Sequence, residues 1–349
     1  MGARDCGMAR RVGRFALLAL GALVLASLSA CAPSGSRISA DGFALPPIAS
    51  VESTAGGIHS RRAPKPPTIL KRPYPMKAPA GEYALETVLA DARAITRPGA
   101  RTGGSAEEYA AGEYILKRLR AMGFTPVIES FDLPNGRTSR NIIAVVEGSD
   151  SRRVVVGAHM DSKPPSPGAN DDAVGCAALL ELARLLKASP AVATVEFDFF
   201  GTEEYIDKTP GHHHYGSRFR VASMSQSERD RVAGMMTLDL LAVGPRLHAR
   251  TMGVGPMSMA RHLIASARRV GVSMTYLRDP GSSGWADHEP FEKAGIPAVW
   301  VERLPDPRYH TTGDTVAHLE RARLKATLSV AEEAIRSLTP TRLGALRGH

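Results

Sequence analysis

The sequence predicts a single α/β domain with a mostly parallel, mixed central sheet flanked by helices on both faces. Three observations predict it. From about residue 82 onward, short apolar runs alternate with stretches of helical period, the pattern of strands joined by crossover helices. The first two strand-like runs flank Leu133-Pro134-Asn135-Gly136, an Asn-Gly turn signal, so the sheet opens with an antiparallel hairpin. Hydrophobic residues make up 43% of the 349 and charged residues 23%, a globular composition rather than a disordered one.

Each element has its own signal. Ser105-Ala106-Glu107-Glu108 reads as a capping box opening a helix that stops near Gly123. Residues 127–131 and 141–146 are the hairpin strands. Residues 154–158 form a short continuous apolar run, as expected of a buried central strand. A helix over 173–187, a strand over 195–200, a helix over 217–224 and a strand over 235–241 follow. A helix over 256–270 precedes strands at 273–277 and 298–302, and one amphipathic helix over 316–338 completes the set. No internal repeat is present.

The formal net charge of +9 is a feature of the N-terminal region. In residues 1–30, Arg4, Arg10, Arg11 and Arg14 precede an apolar run over 15–26, too short to span a bilayer but suited to a signal peptide. Leu28-Ser29-Ala30-Cys31 resembles the bacterial lipobox, which implies that Cys31 is lipidated and begins the mature chain. Residues 31–80 hold nine of the 25 prolines and seven Lys or Arg against Asp41 and Glu52, and read as an extended tether. Residues 81–349 are then the folded domain, close to neutral. The expectation is an exported, lipid-anchored monomer facing the periplasm or cell exterior, its tether suited to an anionic membrane and not to nucleic acid. Cys176 is left alone in a helical apolar pattern and reads as a small buried residue.

Chemistry-bearing residues gather where strands end. His159 and Asp161 follow one strand, and Asn170-Asp171-Asp172 precede a helix. Glu203-Glu204 follow the next strand, Asp239 ends another between Leu238 and Leu240, and Tyr309-His310 follow the last. In open α/β sheets the ligand crevice lies at the carboxyl ends of the strands, so these segments converge. Two imidazoles with several carboxylates suit zinc.

These motifs, in this order and with a twelve-residue step from His159 to Asp171, resemble those of the secreted co-catalytic zinc aminopeptidases, metallopeptidase family twenty-eight. The resemblance covers about residues 105–335. It implies a zinc-exopeptidase fold and two Zn2+ ions, with His159 and Asp239 on one, Glu204 and His310 on the other, and Asp171 bridging. It implies Glu203 as general base, Tyr309 as a donor to the oxyanion, Asp161 behind His159, and a strained or cis Asp171–Asp172 peptide. The implied substrate is a peptide with a free N-terminus.

Other stretches resemble the glutaminyl cyclases of the same fold family, which form N-terminal pyroglutamate and would hold a single zinc. Residues 159–163 and 176–186, Tyr215-Gly216-Ser217-Arg218 and the long insert over 205–214 lean that way. Tyr309 in place of Trp, an insert without Trp, and Ala286 before Asp287-His288 lean against it. An inactive binding module on the same fold is a third alternative. His212-His213-His214 reads as a solvated loop at the pocket rim, Trp300 as packing, Trp285 as packing or a specificity wall, and His288 and Asp314 as groups that support a metal ligand from behind or fix a loop.

Overall fold

The sheet begins where the Asn-Gly turn sends the chain back on itself. In the computed structural model, which describes residues 82–348, β1 (Val127–Asp132) and β2 (Thr138–Val146) pair antiparallel. The turn is closed by Leu133 N donating to Arg137 O at 2.7 Å, and Gly136 takes the left-handed φ of 75° that it requires. β2 pairs antiparallel with β4 (Ala193–Phe200), and β3 (Asp150–His159) lies parallel to β4 and to β5 (Val232–Leu238). β8 (Ala298–Leu304) is parallel to β5 and antiparallel to β6 (Arg246–Thr251), which pairs in parallel with β7 (Met274–Arg278). The eight-stranded order is β1-β2-β4-β3-β5-β8-β6-β7.

Every residue of β4 and β5 is buried, as expected for parallel strands covered on both faces. Alternation along β3 divides the apolar interior. Val154 and Val156 enter the larger core with α1 (Leu85–Thr96), α2 (Ala106–Ala121), α3 (Val174–Ala188), α6 (Ser258–Arg269) and α8 (Arg321–Arg336). Val155, between them, packs on the opposite face with Phe200, Met235 and Phe291, the last from α7 (His288–Lys293).

The elements differ from the sequence expectation in five respects, the first being α1, where the sequence reading names no helix. α4 (Tyr215–Ser223) is followed by a short α5 (Gln226–Arg231), and α5, α7 and β6 carry no strong periodic signal. The C-terminal amphipathic stretch is not one helix. A single turn at Val316–His318 ends in extended backbone at Leu319 and Glu320, where Glu320 N donates to Ala242 O, before α8 begins. Thr339 then caps α9 (Pro340–Arg347), with proline at its first position. The capping box on α2 is half made: Ser105 Oγ accepts from Glu108 N, but the Glu108 carboxylate turns inward to Gly104 N, Ser139 Oγ and Thr202 N. The signal, Cys31 and tether expectations lie outside the described residues. No helix among the described residues is long and apolar enough to cross a membrane.

Candidate active site

Parallel β3, β4, β5 and β8 deliver their carboxyl ends to one edge of the sheet. His159 is the last residue of β3, Glu203 and Glu204 follow β4, Asp239 follows β5 and His310 follows β8. Asp171 arrives from the turn Ala169–Ala173 that enters α3, where the Asp171–Asp172 peptide is cis.

Buried polar groups hold these loops. The fully buried Arg101 guanidinium donates to the carbonyls of Met160 (2.7 Å), Pro167 (2.5 Å), Gly168 (3.1 Å) and Asp161 (3.3 Å), pinning the segment between His159 and Asp171. Asp314 accepts from Asn170 N and Asp171 N at 2.7 and 3.2 Å, which fixes the Asp171 backbone. Asp172 accepts from His159 N and Gly175 N, tying the start of α3 to the end of β3. The Asp161 carboxylate accepts from Glu203 N at 2.9 Å and Glu204 N at 3.0 Å, and its Oδ1 lies 3.3 Å from His159 Nδ1. Arg101 is a structural member of the site that no motif in the sequence announces, and Glu108, which the sequence offers only as a helix-capping residue, is another. His288 bonds to Asp279 at 2.9 Å, and Cys176 is buried, its thiol against His159 O.

Four non-glycine residues among those described have left-handed backbone: Thr202, His214, Leu240 and His310, with φ between 54 and 61°. All four lie at this edge of the sheet, beside or at Glu203, Asp239 and His310. Such strain persists only where the surrounding structure over-determines it, and it clusters at working sites.

The five expected ligands come together in two groups that share Asp171. In one, His159 Nε2 lies 3.1 Å from Asp171 Oδ1 and 3.9 Å from Asp239 Oδ1. In the other, His310 Nε2 lies 2.7 Å from Glu204 Oε1 and 3.1 Å from Asp171 Oδ2. Asp171 Oδ2, Glu204 Oε1, Asp239 Oδ1 and His310 Nε2 are buried without a hydrogen-bond partner. Burial and neighbouring carboxylates push Glu204 up to about 7 and Asp239 well above the usual carboxylate range. Burial opposes charge on His310, but Asp171 and Glu204 outweigh it and hold the imidazole at about 9. The cluster thus carries more carboxylate than its own cations balance. Its oxygen and imidazole donors, aimed at one another with atoms unpartnered, fit divalent metal.

A cavity of about 530 Å³ opens beside the cluster, lined by Glu203, Glu204 and His310 and walled by Tyr205, Trp285 and Tyr309. Tyr309 is 46% exposed and its ring stacks on His310 at 3.6 Å between centroids. Trp285 is a pocket wall and not core; Trp300 is buried and also reaches the cavity. The histidine triplet differs from its expectation. It does shape the rim, but His213 and His214 are buried, and His214 bonds to Glu203 and Glu289. Only His212, paired with Asp207, behaves as a surface loop residue.

Residues 141–335 match the sequence model of peptidase family M28. The chain is 32% identical over 202 residues to aminopeptidase YwaD of Bacillus subtilis, covering 54% of this chain and 42% of that one. It is 31% identical over 224 residues to the probable lipoprotein aminopeptidase LpqL of Mycobacterium tuberculosis, covering 53% and 43%. The chain therefore spans less than half the length of these curated relatives. Its fold is similar to BSAP, a zinc aminopeptidase from Bacillus subtilis, with a TM-score of 0.65 at 18% identity over 76% of this chain and 95% of that one. It is equally similar to Fimbriiglobus ruber glutaminyl cyclase, with a TM-score of 0.66 at 22% identity over 77% and 100%. With its family model matched over more than half its length, the chain belongs to peptidase family M28.

Proposed function

We propose that this chain is a zinc-dependent aminopeptidase that hydrolyses the N-terminal peptide bond of peptides, with Glu203 as general base. The observation that carries it is the division of labour among the acids at the cavity. Asp171 turns one oxygen to the His159–Asp239 group and the other to the Glu204–His310 group, which supports two metal ions rather than one. Glu203 belongs to neither group yet lines the same cavity.

His159, Asp239, Asp171, Glu204 and His310 would hold the zinc. Bound zinc lowers the pKa of water and polarises a carbonyl. Glu203 takes the proton of the attacking water and delivers it to the leaving amine. Tyr309, in the cavity wall, donates its hydroxyl to the developing oxyanion. Asp161 holds the peptide units of Glu203 and Glu204, so that base and ligand keep their places relative to each other.

The insert from Tyr205, with His213 against its ring at 4.4 Å, closes one side of the cavity and favours a second reading, N-terminal glutaminyl cyclisation. One paired assay separates them: aminoacyl-anilide hydrolysis and cyclisation of a Gln-initiated peptide by the purified chain, each with and without chelator. Chelator-sensitive hydrolysis without cyclisation is expected. Cyclisation alone would support the cyclase, and neither activity would support a binding module. We read residues 1–30 as an export signal, Cys31 as a lipid anchor and 31–80 as the tether, a reading supported by the similarity to a lipoprotein aminopeptidase.

A further inference from the structure

We propose that His214, held by Glu289, is a positioning residue that fixes the carboxylate of Glu203. The proposal rests on the reading of Glu203 as general base.

The loop that follows Glu204 returns to its starting point. His214 N, Tyr215 N and Gly216 N donate to the carbonyls of Glu203 (2.7 Å), Thr202 (2.9 Å) and Gly201 (3.0 Å). His214 therefore faces Glu203 across a backbone ladder, whatever the nine residues between Glu204 and His214 do. The left-handed backbone at His214, with φ of 56°, accompanies a ring that is buried rather than in solvent. The ring bridges two acids: Nε2 lies 3.1 Å from Glu203 Oε1 and Nδ1 lies 2.7 Å from Glu289 Oε2. Glu289 is 1% exposed, pairs with Lys293 one turn along α7, and lies against Gly284, where a Cβ would stand 2.5 Å from its own Cβ. The far end of the chain of contacts is thus rigid.

Without His214 the Glu203 side chain would be anchored only through its backbone, which Asp161 holds, and its three side-chain torsions would be free. With His214 in place between two carboxylates, both ring N–H groups donate, Nδ1–H to Glu289 Oε2 and Nε2–H to Glu203 Oε1, which commits the second carboxylate oxygen of Glu203 to the cavity that it lines. An indirect partner of this kind acts on turnover and leaves substrate affinity alone.

The test compares H214Q and H214F in the purified zinc-loaded chain, using whichever of the two substrates the wild type turns over. Both variants strain the left-handed position alike, but only Gln offers an N–H near Nε2. H214F is expected to lower kcat by about 10- to 100-fold at unchanged KM and zinc content. H214Q is expected to recover about tenfold of that loss. Equal loss in both variants, or a rise in KM in place of a fall in kcat, overturns the proposal. His213, His214 and Glu289 lie close enough together to ligate a metal, so a third zinc equivalent that both variants lose also overturns it. A wild type inactive on both substrates defeats the base reading and still leaves a direct measurement. In ring ¹⁵N spectra, with His214 assigned by the loss of its signals in H214F, E203Q is expected to shift the His214 nitrogens. Unchanged signals would show that the ring and Glu203 do not interact.

Discussion

Replacing Asp161 with Asn keeps the shape of the side chain and removes its ability to accept at both oxygens. In the wild type each oxygen takes one buried backbone N–H, from Glu203 at 2.9 Å and from Glu204 at 3.0 Å. Hydrogen bonds to a charged acceptor contribute about 1.5–3 kcal/mol each, and a buried N–H left without an acceptor costs about 1–3 kcal/mol. The carboxamide oxygen of Asn serves one N–H as a neutral acceptor, while its NH₂ faces the other. The net loss is about 3 kcal/mol, which for a domain of this size lowers the unfolding midpoint by roughly 6–12 °C. Thermal unfolding followed by circular dichroism in chelator isolates this effect, because bound metal would add its own stabilisation. The same change slackens the contact to His159 Nδ1, so zinc affinity is expected to fall about 10- to 100-fold. A D161N midpoint within about 2 °C of the wild type would refute the claim that Asp161 holds the Glu203–Glu204 peptides.

Three further outcomes follow from other parts of the structure. E203Q is expected to retain its zinc by elemental analysis and to lose about 10²- to 10⁴-fold in kcat, whereas full turnover would remove Glu203 as the base. A Cβ at position 175 would lie 2.1 Å from Asp172 Oδ1 and 2.2 Å from Leu238 O, so G175A is expected to lose about 3 kcal/mol or more in denaturant unfolding, and an unchanged midpoint would show that α3 can shift without cost. Burial lifts the Glu302 carboxyl from 4.5 to about 7 against the pull of Arg250, so the folded chain holds this proton more tightly than the unfolded chain does. Its contribution to stability is complete below about 4.5 and is lost as pH rises through about 7; E302Q is expected to flatten the fall in melting temperature across that window, and an unaltered slope would count against the buried, protonated group.

What was legible in the sequence was set by local chemistry. The Asn-Gly turn, the apolar β3 and β4 and the helical period of α3 are each specified within a few neighbouring residues, and the sheet follows from them. The five candidate ligand positions were legible through the likeness of their motifs to family twenty-eight, and the convergence of strand ends in an open α/β sheet accounts for their coming together. β6 was not, since its Arg-Leu-His-Ala-Arg-Thr pattern looks polar until Arg250 meets Glu302 on β8 and the faces of Trp285 and Trp300. The break before α8 was hidden because apolar period runs through Leu319, while the interruption comes from Glu320 N bonding to the distant Ala242 carbonyl. The inward turn of Glu108 and the burial of His213 and His214 have the same origin. A histidine triplet in a polar insert reads as solvated; only the ladder from residues 214–216 back to 201–203 turns it inward.

The central claim is the proposed hydrolytic site, in which the His159–Asp239 and Glu204–His310 groups would each hold a zinc ion with Asp171 common to both. Its most direct test strips the chain with chelator and restores zinc stepwise while following aminoacyl-anilide hydrolysis. The expected curve rises from no activity to a plateau at two equivalents per chain. A chain that binds zinc yet cleaves no anilide at any occupancy, or that reaches full activity at one equivalent, would contradict it.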